Sequence, residues 1–171
     1  MTRSRKICLL LLIIISCVLS CQPAKESDKE NKKLSVIATI FPIYDFARII
    51  GGDKINVKML LPPGTDVHHY ELRPEDIAKV TQADIFLFTN FELEQWAYKI
   101  IKAADKNTNM LAIETGNGTV LIPLGKEKAP MEQHENHEEN ISQFDPHIWL
   151  DMDNAMKMVD NIADAFIKKD P

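Results

Sequence analysis

The sequence predicts an α/β fold, a parallel sheet flanked by helices. Three observations predict it. From Leu34 onward, strand-like and helix-like patterns alternate along the chain. Asp84-Ile-Phe-Leu-Phe-Thr89 is a nearly continuous apolar run of the kind buried on both faces of a parallel sheet. Asn154 to Lys168 is an amphipathic helix through Ala155, Met158, Val159, Ile162 and Phe166. Repeated β–α units imply right-handed crossovers between parallel strands, and the length suits one domain.

The N-terminus reads as an export signal (residues 1–20). Arg3, Arg5 and Lys6 form a positive region ahead of 13 uncharged apolar residues, Ile7 to Leu19. That stretch is shorter than the roughly 20 residues a helix needs to cross a bilayer, and it fits the apolar part of a signal peptide. Residues 21–33 follow, with no large apolar side chain from Gln22 to Lys33, so this segment cannot bury enough surface to fold and reads as a tether.

The predicted folded body covers 34–171. Leu34 to Ile40 reads as a buried strand. Ile43 to Ile50 is a helix that stops at Gly51-Gly52, and Ile55 to Leu61 is a second strand before the turn Pro62-Pro63-Gly64. Pro74 suits the first turn of a helix whose positive end Glu75 and Asp76 complement, with Ile77, Val80 and Ala83 toward the core. After the strand Asp84 to Thr89, a helix is expected from Glu92 to Ala104, with Leu93, Trp96, Ala97, Ile100 and Ile101 on one side. Met110 to Ile113 is a short strand and Val120 to Ile122 a candidate for another. Residues 125–143 lack apolar periodicity and read as a mobile His- and Glu-rich loop. His134 and His137 make it an auxiliary metal-binding candidate. The same composition reads equally as a solvated charged loop.

Charge narrows the partners. The formal net charge is −5, and becomes −8 once the three basic residues of the signal are removed. With no basic stripe, nucleic acid is not an expected partner, whereas a negative field favours cations. Cys8 and Cys17 lie in the signal and the third cysteine is Cys21, so the mature body has no thiol for a disulfide or a metal. A metal site here must use His, Asp or Glu.

Two segments carry such residues, Asp66-Val-His68-His69-Tyr-Glu71 and Asp145-Pro-His147-Ile-Trp-Leu150. The first follows a strand, where ligands bind in open α/β sheets. Adjacent histidines point in different directions, so one of His68 and His69 is the expected ligand. His147, beside Ile148 and Trp149, reads in isolation as either a ligand or a hydrogen-bonded core histidine.

Longer motifs place the chain beside a known family. Leu60-Leu-Pro-Pro-Gly-Thr-Asp-Val-His-His-Tyr-Glu-Leu-Arg-Pro-Glu-Asp76, Asn90-Phe-Glu-Leu-Glu-Gln-Trp96 and Asp145-Pro-His-Ile-Trp-Leu-Asp151 occur in the order seen in zinc/manganese solute-binding lipoproteins of metal ABC transporters, which the chain resembles. Val18-Leu19-Ser20-Cys21 resembles the bacterial lipobox, which implies cleavage before Cys21 and its lipidation. The resemblance implies metal ligands at His68 and His147, with His69 on a variable position. Val67 departs from the family's usual proline, and Phe91 from a common glycine. The family has two α/β lobes with the metal between them, and nothing here matches the ligands of its second lobe. The chain therefore reads as the N-terminal metal-binding lobe, truncated before the second.

The implied function is extracytoplasmic capture of a divalent transition metal for delivery to an ABC permease, with zinc preferred and manganese the alternative. The protein would be lipid-anchored outside a bacterial membrane, would take no small organic substrate and would not be an enzyme. A surface adhesin and an exported metal-dependent hydrolase are the readings from other classes. The hydrolase lacks a His-Glu-x-x-His helix.

Overall fold

The computed structural model describes residues 33–104, 109–124 and 144–171. The expected signal, Cys21, nearly all of the tether, and the loop 125–143 with His134 and His137 lie outside the described residues. Among the described residues no helix is long and apolar enough to cross a membrane.

Four parallel strands form the main sheet: β1 (Leu34–Ala38), β2 (Ile55–Met59), β3 (Ile85–Phe88) and β4 (Leu111–Glu114), in the order β2-β1-β3-β4. The register pairs Val36 with Val57 on one side and with Ile85 on the other. Helices α1 (Phe41–Gly51), α2 (Pro74–Thr81), α3 (Ala97–Ala104) and α4 (Met152–Lys169) cover it.

Strand alternation sorts the core into two layers. Val36, Ala38, Ile85 and Leu87 meet Ile43 and Ala47 of α1 and Met158, Ile162 and Phe166 of α4. Ile37, Phe86 and Phe88 point the opposite way, to Val80 of α2 and Ala97 and Ile100 of α3. Phe86 and Ile85 are both fully buried, as a central strand covered on both faces requires.

Three expectations need correction. The helix placed at Glu92–Ala104 begins only at Ala97. Leu93 donates its N–H to the Asn90 side chain, and Glu94 turns back to accept the N–H of Thr89, so local polar contacts displace the first helical turn. The candidate strand at Val120–Ile122 appears as β5 (Ile122–Pro123), outside the parallel sheet and antiparallel to β6 (Phe144–Asp145). Helix α1 starts earlier than expected, at Phe41, because Pro42 fits a first helical turn, where its missing N–H costs nothing.

Candidate metal site

Each histidine segment leaves the fold at a defined point. From β2 the chain continues through Leu60 and Leu61, whose N–H groups still bond to Ala38 and Thr39 of the neighbouring strand. A turn follows in which Thr65 N–H reaches the Pro62 carbonyl at 3.1 Å, with Gly64 at φ 82°. That positive φ suits glycine at the third position of such a turn, and Pro63 suits the second.

Asp66 then shapes the tip. Its Oδ1 accepts the His68 N–H at 2.9 Å, and its Oδ2 lies 2.8 Å from His69 Nδ1. The His69 hydrogen bond, followed by that from the His68 backbone, holds the Asp66 carboxyl below the usual range. His69 is therefore committed to Asp66, while the His68 ring faces elsewhere.

Three aromatic and polar contacts secure the loop from behind. Trp96 donates its indole N–H to the Val67 carbonyl at 3.1 Å, one residue before His68. Tyr70 packs edge-on against Trp96, with ring centroids 5.2 Å apart, and donates its hydroxyl to Asp76 at 2.7 Å. Asp76 is buried, which by itself raises its pKa, but hydrogen bonds from Tyr70 and Arg73 hold it low and ionised. It also caps α2 by accepting the Arg73 N–H.

The second segment is placed by the β5–β6 pair, in which Asp145 lies opposite Ile122. Asn154 of α4 braces the approach to β5, accepting the Val120 N–H at 2.8 Å and donating to its carbonyl at 2.9 Å. Asp145 Oδ1 accepts the His147 N–H at 3.0 Å and lies 2.7 Å from His147 Nδ1. The backbone bond first, then the ring bond, keeps Asp145 below the usual carboxylate range. Ile148, 1 % exposed, then plugs into the core beneath the short helical turn Ile148–Leu150.

The fold brings His68 and His147, 79 positions apart, to a ring-centroid separation of 5.9 Å at an interplanar angle of 73°. Trp149 lies edge-on to the His147 ring, with centroids 5.4 Å apart. With Nδ1 engaged by Asp145, His147 has Nε2 left to bind a metal, the tautomer that a carboxylate partner selects. Both histidines are exposed. Among the described residues no cluster of three or more His, Cys, Asp or Glu is arranged to hold a metal ion.

Sequence reasoning did not foresee the roles of Asp66, Asp145, Trp96 and Glu94. A signal for the two aspartates was present, because both histidines stand in Asp-x-His, the spacing of an Asx turn. Nothing local marks Trp96 as a partner of Val67.

The profile of the family described as zinc-uptake complex component A, periplasmic (ZnuA), matches residues 36–171. The chain is 34 % identical over 162 residues to the zinc-binding lipoprotein AdcA of Streptococcus pneumoniae, an alignment covering 94 % of this chain and 31 % of that protein. It is 33 % identical over 175 residues to the manganese ABC transporter substrate-binding lipoprotein ScaA of Streptococcus gordonii, covering 100 % of this chain and 53 % of the relative. Among solved structures, the Zn(II)-bound ZnuA-like domain of S. pneumoniae AdcA superposes with a TM-score of 0.66 at 31 % identity, covering 81 % of this chain and 45 % of that one. The metal-dependent lipoprotein YcdH of Bacillus subtilis gives 0.65 at 31 % identity, with 81 % and 46 % covered. The chain thus spans about half, or less, of the length of these relatives. Continuous similarity of this extent, on the same parallel fold and through both histidine segments, means that the chain belongs to the ZnuA family of metal-binding transport components.

Proposed function

We propose that this chain forms the N-terminal lobe of a lipid-anchored protein that captures a divalent metal outside the cell membrane and passes it to an ABC permease. His68 and His147 are its ligands to that cargo, and the remaining donors come from outside the described residues. The observation that carries this reading is the approach of the two rings. A metal about 2.0–2.1 Å from each coordinating nitrogen lies about 3.2 Å from each ring centre, so two rings sharing one ion stand within about 6.4 Å. The observed 5.9 Å satisfies that limit.

Zinc is the preferred cargo because imidazole suits it, and manganese is the alternative if carboxylates complete the site. The names of relatives support both, since AdcA is a zinc-binding lipoprotein and ScaA a manganese transporter component. The anchor rests on Cys21 in its lipobox-like setting, and the relatives' description as lipoproteins agrees with it. His134 and His137 remain auxiliary candidates for gathering metal.

The test is zinc titration of the chain against a competing chromophoric chelator. Weak binding is expected, lost in both His68→Ala and His147→Ala and kept in His69→Ala. Tight stoichiometric binding that survives His147→Ala would overturn the proposal.

A further inference from the structure

Chain order reverses between β1 and β3, and the carboxyl ends of these neighbours open the crevice where α/β sheets place their functional groups. Thr39 follows β1 there, and Thr89 and Asn90 follow β3. Glu94 folds back among them, and all four residues are buried, none more than 2 % exposed. The Thr89 N–H donates to Glu94 Oε2. Glu94 Oε1, the hydroxyls of Thr39 and Thr89, and Asn90 Nδ2 have no well-formed hydrogen bond among the described residues.

Among the described residues, what faces the carboxyl is uncharged: the Thr39 and Thr89 hydroxyls and the N–H groups of Thr89 and Asn90. Burial raises its pKa, and these groups oppose that rise less strongly, each favouring the ionised form where it donates. No cation among the described residues is set against it, and an unpaired buried carboxylate is strongly disfavoured. A neutral acid resolves the arrangement. A proton on Oε1 would let it donate to the Thr39 hydroxyl while Oε2 keeps the Thr89 N–H, so that two of the four unpaired atoms would satisfy each other.

The segment this clip would hold is the one that carries Trp96, the residue bonded to the Val67 carbonyl beside His68. We propose that Glu94 is a positioning residue for the His68 loop: as the neutral acid it donates to Thr39, fastens residues 89–96 to the end of β1, and so keeps Trp96 beneath Val67. Loss of that proton unfastens the segment and lets the loop move. Burial supports this, pushing the Glu94 carboxyl up to about 7, so the clip opens near neutral pH. The consequence for metal capture rests on His68 being a ligand, as proposed above; the clip itself does not.

The experiment follows the Trp96 indole N–H by NMR in the metal-free chain between pH 5.5 and 8.5, alongside zinc competition at both ends of that range. The wild type should show a Trp96 transition near pH 7 that Glu94→Gln abolishes, since a glutamine amide donates to Thr39 at every pH. Zinc affinity should fall several-fold across the transition in the wild type relative to Glu94→Gln. Thr39→Val, which removes the acceptor, should move the midpoint down; an upward shift means that Thr39 donates to a carboxylate and overturns the proposal. A Trp96 signal that does not titrate, or titrates equally in Glu94→Gln, also overturns it. If the Trp96 transition behaves as expected while zinc binding ignores His68→Ala, the clip stands and the metal assignment of His68 falls.

Discussion

Asp66 and Asp145 each accept the backbone N–H of the histidine two residues on, at 2.9 and 3.0 Å, yet the side chains they then engage differ. Asp145 grips the ring of that same histidine, His147, whereas Asp66 grips the next one, His69. The supports differ as well. His147 is followed by fully buried Ile148, while the His68 loop rests on partly buried Val67, Tyr70 and Leu72, one indole hydrogen bond and the Tyr70–Asp76 bond. One turn chemistry thus yields a histidine whose ring is held by its own aspartate, and another whose aspartate holds the next ring along.

The hardest test of that contrast is Ile148→Ala. Removing a fully buried Ile side chain costs about 2–5 kcal/mol, and the urea midpoint should fall accordingly. A loss near zero would mean that packing does not anchor the second segment.

The support of the first segment should also titrate. Glu94 has a folded pKa of about 7 against an ordinary 4.5, so the folded state holds a proton that the unfolded chain releases between those values. The contribution of Glu94 to stability is therefore fully present below about pH 4.5, falls as pH rises, and is gone above about 7, a change on the order of 3 kcal/mol. Denaturation at stepped pH should show this slope in the wild type and lose it in Glu94→Gln.

The two aspartates separate next. Asp145→Asn disturbs the partner that sets the His147 tautomer, and loss of such support weakens metal binding by about 10–100-fold. Asp66→Asn should cost far less, because that ring bond serves His69. Equal losses in a chelator competition would erase the distinction between the segments.

The smallest effect is expected from Trp96→Phe. It deletes the indole N–H that reaches Val67, at about 1 kcal/mol for one hydrogen bond. Amide exchange should quicken at residues 66–70 and stay unchanged at 147–150.

Much of the scaffold was legible beforehand. The apolar run at β3 and the Val- and Ile-rich segment at β1 announce buried strands, and the apolar spacing of Met158, Ile162 and Phe166 announces α4. The start of α3 was not, because Asn90 and Glu94 spend their side chains on nearby backbone N–H groups, a competition that periodicity does not register. The antiparallel pairing of β5 with β6 was equally hidden, since it joins residues about twenty positions apart through a segment without pattern.

For the candidate site, the Asp-x-His spacing by itself determined two local turns and two imidazoles at loop tips, because an aspartate reaches the N–H two residues on whatever the rest of the chain does. Spacing alone left open which of two adjacent histidines meets His147; the resemblance pointed to His68, and the tertiary structure brings that ring to His147. That choice depends on Trp96 holding Val67 and on Ile148 seating the second segment, and both contacts join residues far apart in sequence. The burial of Glu94 belongs to the same class. A glutamate in a polar-looking segment becomes an isolated buried acid only when the ends of two parallel strands close around it.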